Sequence, residues 1–337
     1  MKNIEVDRIW HWRITAVAGV TLFLVLLLGV SFGPISLEFI SIIQTLFGQE
    51  GGLQGQERIL LLQLRLPRVF LAALVGAALA TSGAVYQTVF RNPLADPYLL
   101  GAAAGAGLGA TIAITGSTSS FRASLPLFAF LGAVLAVTAT FMISGKMFAE
   151  PTTLILSGIA IGSFATAVQT YLQQRNSDVL RPVYSWILGQ LTVADWDTVK
   201  WAAIYILISL FILIRMSKVL DALMLSDEEA FSLGVSPNKI RIIAIGAATL
   251  ATATAVSASG LIGFVGIVVP HLVRGITKRA TNRSLFTVSL VGASFLVLAD
   301  LGARTLLSPA ELPIGVITAF VGAPFLLFVL RTKRIIK

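Results

Sequence analysis

Cysteine is absent from the chain, which excludes disulfides and thiolate metal sites. Histidine is almost absent: His11 and His271 are the only two, too few for a His-built metal centre. Charge is scarce as well. Only 12% of residues are charged against 56% hydrophobic, with a mean hydropathy of +0.88, whereas a soluble domain carries roughly 25% charged residues. The chain is composed for a bilayer. Its formal charge of +9 is explained first by cytoplasmic loops and not by nucleic acid.

What is present is a series of long apolar runs. A hydrocarbon core of ~30 Å needs about 20 apolar helical residues. Ten stretches approach that length, near 14–33, 66–90, 97–115, 125–148, 152–173, 199–216, 240–259, 262–278, 285–303 and 312–331. The eighth is short before Pro270, and Ser259-Gly260 reads either as a kink or as a turn. The first run is too long for a signal-peptide core and has no small-x-small cleavage site, so it reads as a retained span. On a ten-span map, 17 of the 25 basic residues fall on the side of the termini. The positive-inside rule then places both termini in the cytoplasm. Trp10 and Trp12 at the inner interface, with Trp196 and Trp201 at the outer one, fit aromatic belts. The reading is one all-α integral membrane domain over residues 1–337.

The sequence "GAAAGAGLGA" (101–110) looks like a phosphate-cradling glycine loop, but its context excludes that. It follows a proline loop, not a strand, and no acidic residue occurs until Glu150. Gly101, Gly105 and Gly109 recur every four residues instead, a stripe on which a neighbouring helix can approach; Gly158 and Gly162 repeat the spacing. Asp96 reads as an N-cap and Pro97 as the first turn of the third helix. "SG…P" occurs at Ser82-Gly83…Pro93 and at Ser259-Gly260…Pro270, an echo of an internal repeat. No Walker A is present, since Gly145-Lys146 has Thr140 and Met147 where Gly and Ser or Thr belong. Serines without a base at membrane depth exclude a serine protease centre.

Three local features ask for a role. Residues 174–198 form an external loop whose apolar middle is too short to span and reads as a half-helix in the outer leaflet. Residues 217–239 form a cytoplasmic loop containing "SDEEAFSLGVSPNK". Ser226 and Glu229 make a capping box, Gly234 a stop and Pro237 a restart; it is either a docking helix or a solvated turn. On the outer side Arg65, Arg68 and Arg304 stand against the charge bias, either snorkelling to headgroups or docking an acidic partner. Asp300 lies one helical turn from Arg304, so it reads as half of an ion pair, the alternative being a gradient-coupled carboxylate.

"LRLPRVFLAALVGAALATSGAVYQTVFRNPLADPYLLG", "GLIGFVGIVVPHLVRG" and "ELPIGVITAFVGAPFLLFVLR" resemble the membrane permeases of FecCD type, from ABC importers of ferric siderophores, haem and cobalamin. The resemblance runs from about residue 15 nearly to the end of the chain. It implies the type II ABC importer architecture in a bacterial cytoplasmic membrane, a second permease copy or a related subunit, two ATPases carrying ATP and Mg, and an external binding protein. No cofactor is implied in this chain, and no enzymatic step. It also implies that Arg65, Arg68 and Arg304 face glutamates of the binding protein. Ser226, Asp227, Glu228, Glu229, Ala230, Leu233, Gly234 and Val235 are implied to couple to the ATPase. The fifth span and residues 181–191 would line the path, and Pro270-His271 would mark an inner helix end. Ferric siderophore is the expected cargo, with haem or cobalamin next.

Overall fold

The computed structural model describes residues 2–116, 124–144, 151–192, 194–277 and 284–335, without the side chains of 2–11, 151, 330 and 332–335. The described residues are predominantly helical, with no strand among them. The helices are α1 (Lys2–Ser31), α2 (Phe39–Phe47), α3 (Gly55–Val89), α4 (Ala102–Thr115), α5 (Leu125–Ile143), α6 (Pro151–Arg175), α7 (Leu180–Ile187), α8 (Trp196–Arg215), α9 (Asp227–Ser232), α10 (Pro237–Ser259), α11 (Val265–Thr277), α12 (Leu285–Thr305) and α13 (Ile314–Ile335), joined by short turns. Every apolar run of the sequence forms a helix, because a backbone in hydrocarbon must satisfy its polar groups internally. Among the described residues, seven helices are long and apolar enough to cross a membrane: α1, α3, α5, α6, α8, α10 and α12. Ala102–Thr115, Val265–Thr277 and Ile314–Val329 are shorter apolar helices. Among the sidedness charges, Arg122, Lys146, Lys278, Arg279, Arg283 and Lys337 lie outside the described residues, as do the side chains of Lys2, Arg8, Trp10, Lys333 and Arg334.

Helix α3 is the central post. Its membrane window is 83% buried against 22% for α1, and it packs against α12, α10, α11, α8 and α1. Burial cannot drive helix association in lipid, so close approach and interhelical hydrogen bonds must. Both are concentrated here. A Cβ on Gly76 would land on the Gly292 carbonyl, and one on Gly83 on the backbone of Gly266. Ser82 Oγ donates to Ala248 O at 3.0 Å, and Tyr86 Oη lies 2.8 Å from Thr249 Oγ1. Pro270 sits inside α11 and not at its end, so it supplies no N–H to the carbonyl of Gly266 four residues back. Gln87 Nε2 donates to that oxygen instead, at 3.0 Å.

Two expected spans are shorter than drawn. Pro97 opens a separate 3₁₀ turn, Pro97–Leu100, ended by Gly101 at φ +82°, and α4 begins only at Ala102. Asp96 does cap that turn, its Oδ1 accepting from Tyr98 N at 2.8 Å. After α10, Gly260 at φ +70° starts a non-helical stretch that ends at Val265, so Ser259-Gly260 is a full break. Ser82-Gly83, by contrast, lies within unbroken α3. The echo between the two therefore does not extend to structure. Helix α2 was not anticipated; its turn-spaced Phe39, Ile40, Ile43, Leu46 and Phe47 are exposed, while Ile42 is buried.

Candidate functional site

One end of the fold holds a buried charge cluster. The last carbonyls of α1 have no partner within the helix, and arginines from two other helices supply the donors. Arg65 Nη1 donates to Val30 O and Ser31 O, each at 2.9 Å, and Arg65 Nη2 donates to Ile35 O. Arg304 Nη2 donates to Gly29 O at 2.9 Å. Cations at a helix C-terminus also oppose its negative dipole end. Gly33 leaves the room: a Cβ there would lie 2.9 Å from Arg65 Nη2. Asp300 then joins two arginines, 2.9 Å from Arg68 Nε and 3.1 Å from Arg304 Nε, and Arg68 reaches Glu311 at 2.9 Å.

This geometry corrects one expectation about position. Arg65 and Arg304 are 4% and 3% exposed; they are internal ties and not free surface cations. Arg68 stands nearest the exterior, with its partner Glu311 32% exposed. It lines a small pocket of about 170 Å³ together with Ser185, Gln190, Asp300 and Glu311. Asp300 carries the ion pair expected of it.

The half-helix is present as α7, with Val183 and Trp186 buried. It ends at Gly189, φ +77°, where three broken segments meet. Gln190 N donates to Ser259 O at 2.8 Å, and Gly315 N donates to Leu188 O at 3.1 Å. Tyr98 Oη donates to Ile262 O at 3.0 Å and accepts from Ile262 N at 3.2 Å. Non-helical backbone at membrane depth is tolerated because protein groups satisfy it in this way. Beside the junction lies an apolar cavity of about 620 Å³, bordered by Ile187, Leu261, Phe264, Val316, Phe320 and Pro324.

The loop over 217–239 is built as its sequence reads. Ser226 Oγ accepts from Glu229 N at 3.2 Å, and Glu229 Oε2 accepts from Ser226 N at 3.0 Å, which closes the capping box. At the other end of α9, Gly234 adopts φ +75°, with Gly234 N donating to Phe231 O at 2.9 Å and Val235 N to Ala230 O at 3.0 Å. This is a Schellman stop. Asp227 receives two bonds from Arg241, at 2.9 and 2.7 Å, and one from Arg91 at 3.0 Å. Arg241 hydrogen bonding, aided by the charges of Arg241 and Arg91, holds the Asp227 carboxyl below the usual carboxylate range. Ala230 is buried, while Met224, Phe231 and Leu233 point outward, exposed. A short, doubly capped helix thus presents apolar side chains on an anchored base.

The glycine stripe divides between two neighbours. Gly105 and Gly109 press on the carbonyls of Gly132 and Phe128 in α5. Gly101 precedes the helix and faces α6, where a Cβ would lie 3.3 Å from Gly158 O and 3.5 Å from Gly162 N. Gly158 contacts the Leu99 carbonyl, whereas Gly162 has only ordinary contacts, the nearest at 3.7 Å. Arg91, Arg241 and Glu311 escaped the sequence reading as partners. Arg241 follows Asp227 by 14 positions, but Arg91 and Arg68 lie 136 and 243 positions from the acids they hold. Among the described residues no cluster of His, Asp and Glu is arranged to hold a metal ion.

Comparison with known proteins agrees with this architecture. The model of the FecCD transport family matches residues 21–332. The hemin transport system permease HmuU of Yersinia pestis is 40% identical over 283 residues, covering 81% of this chain and 83% of that protein. The cobalamin import system permease BtuC of Halobacterium salinarum is 38% identical over 286 residues, covering 84% and 76%. The Fe(3+)-citrate import system permease YfmE of Bacillus subtilis is 36% identical over 280 residues, covering 83% and 84%. A solved structure described as an inward-facing metal-chelate type ABC transporter superposes with a TM-score of 0.84 at 31% identity, over 95% of this chain and 99% of that one. With apolar helices throughout and a family match over nearly its whole length, this multi-pass membrane chain belongs to the FecCD transport family of ABC importer permeases.

Proposed function

We propose that the chain is the translocating subunit of an ATP-driven importer that brings a ferric chelate into the cytoplasm by alternating access. The anchored helix α9 carries this reading. A solvated turn has no need of two complete caps, three arginine bonds to Asp227 and outward apolar side chains at Met224, Phe231 and Leu233. Such a surface suits a cleft on a cytoplasmic ATPase, which supplies ATP hydrolysis with its own Mg; this chain then performs no covalent step. Both termini and α9 lie in the cytoplasm, across the inner membrane of a bacterium.

The partner surfaces follow from the same geometry. Leu156, Ile159 and Phe164 on α6 and Leu327 and Phe328 on α13 are exposed, as is Phe320, which also borders the 620 Å³ cavity. A second permease copy covers this face, and the cavity then lies on the shared path. The external binding protein docks at the outer mouth through Arg68, with Arg65 and Arg304 holding the helices behind it. Relatives that import ferric citrate, haem and cobalamin bracket the cargo class. Ferric siderophore remains the first choice.

A gradient-driven transporter is disfavoured because both oxygens of Asp300 face arginines. The test is gentle purification from native membranes followed by mass spectrometry of co-purifying chains, for the wild type and for Phe231→Asp combined with Leu233→Asp. Recovery of an ATPase with the wild type and its loss from the double variant supports the proposal. A solitary wild-type chain that still drives uptake in vesicles overturns it.

A further inference from the structure

We propose that a groove between α5 and α10 is a binding site for one anionic phospholipid, the acyl chain lying along the groove and the phosphate meeting Lys239. The groove encloses about 450 Å³ between Phe130, Val137 and Phe141 of α5 and Ile242, Gly246 and Leu250 of α10. Its volume is that of a small-molecule site, ~300–1,000 Å³. Phe130 to Phe141 is eleven helical residues, or ~16 Å, about half the hydrocarbon thickness and so the depth of one leaflet. At the deep end Phe130 packs against Tyr205, ring centroids 6.4 Å apart.

Gly246 keeps the groove open. Gly76, Gly83, Gly105 and Gly109 each meet a backbone carbonyl of a neighbouring helix, but a Cβ at Gly246 would meet nothing within 4 Å. A glycine inside a helix costs stability relative to alanine, and here no close-packed helix accounts for it. The walls offer no free polar group. Thr138 Oγ1 donates to Val134 O at 2.8 Å and Thr249 Oγ1 is paired with Tyr86 Oη at 2.8 Å. The occupant is therefore a hydrocarbon. Its charge is set at the shallow end, where exposed Lys239 lies three, seven and eleven residues before Ile242, Gly246 and Leu250, on the same stripe of α10. A flexible ammonium at the membrane edge suits a lipid phosphate. Neither α6 nor α13 contributes to the groove, so the site does not depend on the surface assigned above to a second copy.

The experiment is native mass spectrometry of the delipidated full-length protein titrated with dioleoylphosphatidylglycerol or dioleoylphosphatidylcholine. The wild type should retain one phosphatidylglycerol per chain and prefer it over phosphatidylcholine. Gly246→Leu, whose Cβ has open space and whose remaining atoms extend into the groove, should abolish both, while Gly246→Ala should keep them. Lys239→Gln should lower phosphatidylglycerol affinity about fivefold and erase the preference. Ile242→Phe provides a second block should Gly246→Leu fail to fold. Unchanged lipid retention in the blocked variants overturns the site, and an unchanged preference in Lys239→Gln overturns the headgroup assignment. A wild-type dimer that Gly246→Leu dissociates would make the groove a protein interface, also against the proposal.

Discussion

Replacing Asp300 by alanine tests the energetics of the buried charge cluster. Its carboxylate is 1% exposed and lies 2.9 Å from Arg68 and 3.1 Å from Arg304. Removing one partner from a buried ion pair costs about 3–5 kcal/mol, because the other charge is left uncompensated. The two arginines are not left equally bare. Arg68 keeps Glu311 at 2.9 Å, whereas Arg304, 3% exposed, keeps only the Gly29 carbonyl. The loss should therefore fall near the lower bound, about 3 kcal/mol, a change of roughly 150-fold in the unfolding equilibrium. Combining Asp300→Leu with Arg304→Met removes both ions and should recover most of it, since apolar replacements of a buried pair are often neutral or better. Reversible unfolding in mixed micelles by titrated denaturing detergent, applied to Asp300→Ala and to the cycle of Asp300→Leu, Arg304→Met and their combination, measures both quantities. A single variant within about 1 kcal/mol of wild type, or a double variant no more stable than the single, would refute the reasoning.

Three further outcomes follow from the packing. Gly83→Ala should fail to assemble or should lose most folded protein in membranes, because its Cβ falls on the Gly266 backbone, which has no side-chain freedom to yield; normal yield and thermal stability would contradict this. Gly234→Ala, with open space around it but φ +75°, should cost about 1 kcal/mol through backbone conformation alone, read as faster amide exchange across residues 226–235. The Asp227 tie should depend on acid. Because its folded pKa lies below the ordinary 3.8, the native loop binds fewer protons than the unfolded one between those values. Its contribution is complete above 3.8 and is lost as pH falls through the lower folded value. Loop exchange, corrected for intrinsic rates, should rise in that window in the wild type and show a smaller step in Arg241→Met, where Arg91 still holds the carboxylate.

Much of this fold is legible in one dimension, because the bilayer forces each apolar run to satisfy its backbone locally. The capping box at Ser226 and Glu229 was equally legible, since both partners lie within one turn. Legibility ended where partners are distant in sequence. Arg65, Arg68 and Arg304 could be singled out by their charge, but not their burial, which depends on Gly29, Val30, Asp300 and Glu311 brought in from other helices. Gly101 shows a subtler limit. Four-residue spacing assumed one continuous helix, and a left-handed residue at its start turned that glycine toward α6 while Gly105 and Gly109 face α5. Helix α2 carries its periodicity in only nine residues, too few to be noticed beside spans twice as long.

Helix α3 is gripped by guanidinium groups near both ends of its buried stretch. Arg65 and Arg68 grip α1, α12 and the loop of Glu311 at one end; beyond the other, Arg91 donates to Leu223 O at 2.8 Å, to Leu225 O and to Asp227 at 3.0 Å. The helix between them is 83% buried over its membrane window and wedged by glycine contacts at two levels. It behaves as a tie rod. Through it, the loop that precedes α9 and the charge cluster at the opposite end are joined by one continuous helix.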